Sequence, residues 1–291
     1  MSVTTSITRT GVDYDRVYSE RSLARAALPT GVQMAYVDQG ESSDPAVVLL
    51  HGLSDSSWSF ARLVPELTGV RTVAIDLRGH GGSSAPADGY RPEDLAGDVV
   101  ALLDHLGITR ATVVGHSLGS VVAREVVHRY PGRVERLVLV GTIATPVNEG
   151  AAGLADEIAG FGETVPEAFV RGFQESTLAE LVPSGFMERV ISESLRLRAR
   201  VWRAAVAGML EADDSDRLAG IDVPTLLMWG DQDAWFPREE QDRMAAAISG
   251  ARLVVFEGAG HDPHWERPGN VAALLTDFLQ EARPRQSSRS S

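Results

Sequence analysis

The chain has 291 residues, with 27 lysine and arginine residues against 40 acidic ones, a net charge of −13 and no cysteine. This length is enough for one large domain with its own hydrophobic core, and the lack of cysteine excludes disulfides, thiolate nucleophiles and cysteine-bound metals. The acidic balance argues against nucleic acid and anionic membranes as partners, and because the 27 cations are all arginine, chemistry that needs a lysine is excluded as well.

We expect no signal peptide at the beginning of the chain. The first thirty residues contain no apolar stretch flanked by a cleavage site. No apolar run anywhere approaches the roughly 18–20 residues that a transmembrane helix needs. We therefore expect a cytoplasmic protein with residues 1–25 as an N-terminal arm, and nothing in the pattern predicts its oligomeric state.

Short apolar runs recur between turn residues and predict the strands. They show little alternation between apolar and polar residues, which is typical of strands buried on both faces of a parallel sheet. The predicted strands are Ala46–Leu50, Arg71–Ile75, Ala111–Val114, Arg136–Val140, Pro224–Trp229 and Leu253–Phe256.

Helical patterns separate several of these strands. Pro92–Leu106 carries an apolar stripe at helical spacing and ends at Gly107. Ser120–Tyr130 stops before Pro131, and Asn270–Leu279 is the last helical segment. The alternation of strands and helices predicts an α/β fold with a doubly wound, mostly parallel sheet.

One stretch, residues 148–216, breaks this alternation. It has no strand-like run but contains the amphipathic segments Pro166–Gln174, Phe186–Leu197 and Val201–Leu210. Three or four helices between two strands predict an inserted helical cap, with the sheet core in residues 26–147 and 217–282. The alternative is that these helices simply cover one face of the sheet. Residues 283–291 are rich in serine and arginine and predict a disordered tail.

One pentapeptide lies where a strand should pass into a helix. Gly115-His116-Ser117-Leu118-Gly119 follows the strand Ala111–Val114 and precedes the helix that begins at Ser120. A serine flanked by glycines at such a junction forms a tight turn that lifts its hydroxyl out of the sheet. The helix N-terminus beneath it offers free N–H groups and a positive dipole end. Ser117 is therefore a candidate nucleophile.

Two later loops hold candidates for the base and acid that activate a serine. The strand ending at Trp229 runs into Gly230-Asp231-Gln232-Asp233, and the strand ending at Phe256 is followed by Gly258-Ala259-Gly260-His261. Because open α/β sheets place their sites at the carboxyl ends of the strands, we expect these loops to lie near Ser117.

With these segments the sequence resembles the α/β-hydrolase fold family, in its serine-hydrolase branch with a helical cap. The resemblance covers Val32 to Leu279, and its motifs follow the family order of serine, acid and histidine. The matching segments are His51-Gly52, Asp76-Leu77-Arg78-Gly79-His80-Gly81, the turn at Ser117, Gly230-Asp231-Gln232-Asp233 and Gly260-His261.

The resemblance implies a catalytic triad of Ser117, Asp233 and His261. No acidic residue directly follows the strand Arg136–Val140, which some relatives use for the acid instead, and this favours Asp233. Asp231 is the alternative acid, because two carboxylates so close in one loop cannot both face one imidazole. If Asp233 is the acid, we expect Asp231 to cap the turn.

A tetrahedral intermediate needs two N–H donors for its oxyanion. We expect one from Leu118, directly after the nucleophile, and the other from Leu53, in the loop after the preceding strand. His51 is interpreted as a structural residue of that loop. The aromatic residues Trp58, Trp235 and Phe236 lie in neighbouring loops and are candidates to line an apolar substrate pocket, or else to pack in the core.

No metal or cofactor is expected. The spacing of His261, His264 and Glu266 matches no zinc-binding pattern, and a loop offers no fixed helical face for ligands. The loop Asp76–Gly81 is interpreted as structural, as the resemblance implies.

The predicted function is a cofactor-free serine hydrolase that cleaves small apolar carboxylic esters or lactones through an acyl-enzyme on Ser117. Serine at the turn argues against haloalkane dehalogenases and epoxide hydrolases, which place aspartate there. Carbon–carbon bond hydrolases and cofactor-free haloperoxidase-like enzymes share the triad and stay open as alternatives. A non-catalytic ligand-binding protein is a further alternative, disfavoured by the complete triad.

Overall fold

The computed structural model describes residues 23–145 and 149–281. The predicted disordered tail and the first 22 residues of the predicted arm lie outside the described residues. The first strand begins at Leu23, so residues 23–25 of the predicted arm belong to the sheet.

The described strands form one eight-stranded sheet in the order β1-β2-β4-β3-β5-β6-β7-β8. The two antiparallel pairings are β1 with β2 and β2 with β4, and the other pairs are parallel. The strands are β1 Leu23–Ala27, β2 Gln33–Gln39, β3 Ala46–Leu50, β4 Arg71–Ile75, β5 Ala111–His116, β6 Val134–Val140, β7 Thr225–Gly230 and β8 Arg252–Phe256.

Helices lie on both faces of this sheet, and each face has its own apolar cluster. The predicted doubly wound, mostly parallel α/β architecture is therefore confirmed. The helices are α1 Pro92–His105, α2 Leu118–Arg129, α3 Glu149–Ala159, α4 Glu167–Ser176, α5 Ser184–Leu195, α6 Ala199–Leu210, α7 Arg238–Ala247, α8 Pro263–Glu266 and α9 Pro268–Gln280.

Four of these helices, α3 to α6, follow one another between β6 and β7. Their buried side chains, such as Phe186 and Trp202, belong to the same apolar cluster as Val47, Leu49 and Val114 of one sheet face. The insertion therefore packs directly against the sheet layer and shares its core.

The register of the parallel strands brings several loops to one edge of the sheet. Leu50 at the end of β3 pairs with Gly115 of β5, and Gly230 at the end of β7 pairs with Phe256 of β8. The four loops that follow β3, β5, β7 and β8 therefore begin at the same edge of the sheet. These loops carry the residues that the sequence predicts for catalysis.

Candidate active site

The turn at Ser117 is held by two close backbone approaches. Ser117 has a positive φ of 50° and stands at the N-cap of α2. A Cβ atom on Gly115 would lie 2.2 Å from the carbonyl oxygen of Gly119, and one on Gly119 would lie 2.2 Å from that of Leu50. Only glycine fits at both positions, and the strained serine between them is fixed in place by its surroundings.

His261 is bonded to one of the two candidate acids. Its Nδ1 lies 2.8 Å from Oδ2 of Asp233, and Oδ1 of Asp233 accepts the backbone N–H groups of Trp235 and Phe236. The bond places the ring proton on Nδ1, which leaves Nε2 as the basic nitrogen. Burial lowers the pKa of His261, but attraction to the Asp233 carboxylate outweighs burial, and the pKa is raised above its usual value.

Asp231, the alternative acid, has other partners. Its Oδ1 accepts the backbone N–H of Gly258 at 2.6 Å and also contacts the Gln232 amide. The carboxylate of Asp231 therefore links the loop after β7 to the loop after β8.

Ser117 and His261 line one cavity at the carboxyl edge of the sheet, with about 530 Å³ of space including solvent at its mouth. Within residues 23–145 and 149–281, no hydrogen bond engages the Ser117 hydroxyl. In sites without substrate, the hydrogen bond between a nucleophilic serine and its base is often long or absent. Ser117 and His261 accordingly line the same cavity without a hydrogen bond between their side chains.

The backbone amides of Leu53, which lines this cavity, and of Leu118, which directly follows Ser117, have no internal acceptor among the described residues. Leu118 is the first residue of α2, where helical N–H groups have no partner within the helix. In the part of the chain that the structure describes, neither the Leu118 N–H nor the Leu53 N–H has an acceptor. Both amides are therefore free to bind an oxyanion.

The remaining cavity walls are mainly apolar. Of the three aromatic candidates, Trp235 and Phe236 line the cavity, whereas Trp58 does not. Trp58 lies in the short 3-10 helix Ser57–Phe60, stacks near Phe186 and lines a second cavity on the other side of its loop. Helices of the insertion contribute further apolar walls, which are Ala151, Leu154, Phe173 and Met209.

The family can be assigned by comparison. The family model of the alpha/beta hydrolase fold matches residues 45–268, which is most of the chain. The chain belongs to the α/β-hydrolase fold family. Within the described residues there is no helix with the length and apolar character of a membrane span.

Similar proteins in this family have several activities. A 2-hydroxymuconate semialdehyde hydrolase from Pseudomonas sp. (strain CF600) is 31% identical over 278 residues, which cover 89% of this chain and 95% of the relative. An esterase from Exiguobacterium antarcticum matches with a TM-score of 0.78 and 26% identity over 88% of this chain and 99% of its own. An enol-lactonase from Burkholderia xenovorans LB400 matches with a TM-score of 0.77 and 27% identity, over 89% of this chain and 100% of its own.

The loop that contains His51 and Gly52 is fixed by its own hydrogen bonds. His51 Nε2 accepts the backbone N–H of Leu77 at 3.0 Å, and its Nδ1 donates to the carbonyl oxygen of Gly52. Burial lowers the pKa of His51 to about 4, so the ring is neutral. His51 is thus engaged on both ring nitrogens.

The loop Asp76–Gly81 is fixed in a similar way. The carboxylate of Asp76 accepts the backbone N–H groups of Ser57 and Gly82. Arg78 forms a buried ion pair with Asp98 of α1. The side chains of Asp76 and Arg78 are therefore bonded within the protein, and no residue of this loop lines the Ser117 cavity.

Beside the cavity the structure brings together a cluster that the sequence does not reveal. Ligand atoms of His116, Asp262 and His264 all lie within 4.8 Å of one another. Burial raises the pKa of Asp262 well above its usual value and lowers that of His264 to about 3. Within the described residues, Nδ1 of both histidines has no partner, whereas metal-bound histidines normally donate their second nitrogen to an acceptor. We therefore assign no metal to the cluster.

Several polar residues of the cavity wall are absent from the sequence-based prediction, among them Asp55 and Gln174. Asp55 lies in the loop after β3, two positions beyond Leu53, and burial raises its pKa to about 7 although hydrogen bonds from Gln174 and Ser59 lower it. Gln174 reaches the cavity from α4. Neither belongs to a motif, and only the fold brings the insertion next to the loop after β3.

Proposed function

We propose that the protein is a cofactor-free serine hydrolase that cleaves small apolar carboxylic esters or lactones. The observation that carries the proposal is the bond between Asp233 and His261 at a cavity that Ser117 also lines. A nucleophile, a base and an orienting acid are what acyl transfer requires.

In the first half of the reaction, Ser117 Oγ attacks the carbonyl carbon while Nε2 of His261 takes the hydroxyl proton. Asp233 holds the imidazole in the correct tautomer and stabilises the imidazolium. The N–H groups of Leu53 and Leu118 stabilise the oxyanion. The intermediate collapses when His261 donates its proton to the leaving alkoxide, which departs as an alcohol.

In the second half, the acyl group is an ester of Ser117. His261 removes a proton from water, which attacks the acyl carbon and forms a second tetrahedral intermediate in the same oxyanion site. Proton return to Ser117 releases the carboxylic acid. For a lactone, the alcohol and the acid are the two ends of a single product.

Ester or lactone substrates are supported by the esterase and the enol-lactonase that resemble this chain in structure. The apolar walls formed by Trp235, Phe236 and the insertion suit an uncharged substrate. We also propose that residues 148–216 act as the cap of the site, since their side chains form part of the cavity wall.

A second candidate is hydrolysis of a carbon–carbon bond, favoured by the 31% identical semialdehyde hydrolase. A panel of aryl esters of increasing acyl length, lactones and β-diketones separates the two candidates. Turnover of esters or lactones supports the proposal, whereas turnover of diketones alone contradicts it.

Replacement of the nucleophile tests the proposal directly. We expect Ser117→Ala to abolish ester turnover and labelling by a fluorophosphonate probe while leaving the circular dichroism spectrum unchanged. The probe phosphonylates activated serines, so a ligand-binding protein without catalysis would not react. Wild-type activity in Ser117→Ala would remove this serine from the mechanism.

A further inference from the structure

Gln174, on helix α4 of the insertion, is a buried amide with contacts to the core. Its side chain lines the cavity, and the residue is 1% exposed. The Nε2 atom lies 3.1 Å from Ser54 Oγ, 3.1 Å from Asp55 Oδ1 and 2.9 Å from Ser194 Oγ of α5. One amide therefore joins two helices of the insertion to the loop after β3.

That loop contains one of the two proposed oxyanion donors. Ser54 and Asp55 directly follow Leu53 in the chain. Ser54 has a φ of 66°, and among the described residues it shares a positive φ only with Ser117 and glycines. A serine in this region is strained and keeps its conformation only when its surroundings fix it. The bond from Gln174 to Ser54 Oγ is such a restraint.

The end of the same helix also contacts the histidine loop. The carbonyl oxygen of Thr177, the residue after α4, accepts the backbone N–H of His261 at 2.8 Å. The hydroxyl of Thr177 donates to the carbonyl oxygen of Gln174 at 2.8 Å. The last turn of α4 is thus bonded both to the loop that carries Leu53 and to the loop that carries His261.

We propose that Gln174 is a positioning residue, which holds the Leu53 amide in the geometry that binds the oxyanion. This inference rests on the proposed acyl-transfer function. The insertion then completes the oxyanion site in addition to enclosing the substrate. Burial of an amide costs free energy unless its groups are hydrogen-bonded. An apolar side chain would fill the same space without that cost, so packing alone does not explain an amide at this position.

The opposing explanation is that Gln174 only attaches the insertion to the core. To separate the two, we compare Gln174→Met, which keeps the length of the side chain but removes its donors, with Ser194→Ala. The latter removes the contact of Gln174 within the insertion and leaves those to Ser54 and Asp55. The substrate is an aryl ester that the wild type hydrolyses.

We expect kcat of Gln174→Met to fall roughly ten- to hundred-fold, with KM changed by less than about threefold, because a misplaced donor weakens the transition state more than the ground state. An aryl boronic acid, whose tetrahedral adduct with serine places an oxygen in the oxyanion site, should bind more weakly by a similar factor. Ser194→Ala should retain kcat within about twofold.

Other results overturn the inference. An increase in KM with unchanged kcat would make Gln174 a substrate-binding residue, and a lower Tm with unchanged kcat would make it an attachment only. If Gln174→Met does not fold, Ser54→Ala removes one of the two acceptors that Gln174 has in the loop after β3, and it should also lower kcat. Unchanged kcat in Ser54→Ala would then contradict the inference.

Failure of the proposed function is distinguishable from failure of this inference. If the wild type neither reacts with a fluorophosphonate nor binds the boronic acid, the serine-hydrolase function is wrong and the inference falls with it. If the wild type does both and Gln174→Met matches it in kcat and boronic acid affinity, only the role of Gln174 is wrong.

Discussion

Asp231 and Asp233 lie two positions apart in one loop, yet their carboxylates have different partners. Asp233 accepts from Nδ1 of His261 and from two backbone amides, whereas Asp231 accepts from the amide of Gly258. Only Asp233 is bonded to the imidazole of His261, and so only Asp233 can fix its tautomer. The same substitution at the two positions should therefore have very different effects on activity.

We expect Asp233→Asn to lower kcat by several orders of magnitude, on the order of 10⁴-fold, because an asparagine amide that donates to Nδ1 stabilises the wrong tautomer. Asp231→Asn should retain most activity, since an amide oxygen can still accept from Gly258. Steady-state kinetics on one aryl ester measures both. Equal losses in the two variants would contradict the assignment of Asp233.

The pH profile depends on the charge of His261, which must be neutral to act as a base. The imidazole becomes protonated as the pH falls through its pKa, which attraction to Asp233 raises despite burial. The acid limb of kcat/KM should therefore lie above the usual histidine pKa of about 6.5. In Asp233→Asn the attraction to this carboxylate is lost while the effect of burial persists, so the acid limb of the residual activity should move to lower pH.

Asp55 also changes charge in this pH range, because burial raises its pKa to about 7. Its carboxylate attracts the His261 imidazolium and raises the pKa of that group. We expect Asp55→Asn to move the acid limb slightly toward lower pH. A limb that shifts in neither Asp55→Asn nor Asp233→Asn would show that another group controls the profile.

At the scale of elements, helix α2 is attached to the chain that returns from the insertion. Arg124 of α2 binds Asp214 through two bonds, 2.8 and 2.9 Å long, and Arg124 is fully buried. Burial raises the pKa of Asp214, but the bonds from His128 and Arg124 outweigh burial and hold that pKa well below its usual value. This ion pair fixes the helix that begins at Ser117.

We expect Arg124→Met to lower the free energy of unfolding by about 3–5 kcal/mol, because it leaves a buried carboxylate without its counter-charge. The matched control is Arg129→Met on the same helix, which breaks an ion pair of a half-exposed arginine with Glu125 and should cost less than about 1 kcal/mol. Urea denaturation measures both. Similar losses would show that burial of the Arg124 pair does not matter.

The elements differ in how well their sequence reveals them. The six predicted strands are found with bounds within two residues, because strands buried on both faces leave an uninterrupted apolar run. β1 and β2 are absent from the prediction. They form an antiparallel pair at one end of the strand order, and β2 ends in the polar residues Asp38 and Gln39, so its apolar run is short. Helix α7 is largely polar, so it shows little periodicity.

At the scale of the whole molecule, the sequence locates the residues that belong to motifs but not those that approach through the fold. Ser117, Asp233 and His261 each follow a strand end, and parallel strands bring such ends to one edge. Gln174 meets Ser54 across 120 positions of chain, and no local pattern indicates that contact. The placement of Trp58 away from the cavity depends in the same way on how its loop turns.

The proposed reaction requires that Ser117 becomes acylated during turnover. Mass spectrometry of the protein after acid quenching, during hydrolysis of a slowly deacylated aryl ester, measures this directly. We predict the mass of the chain plus one acyl group, located on the peptide that contains Ser117 and absent from Ser117→Ala. Turnover without any acylated peptide, or acylation at another residue, would contradict the account.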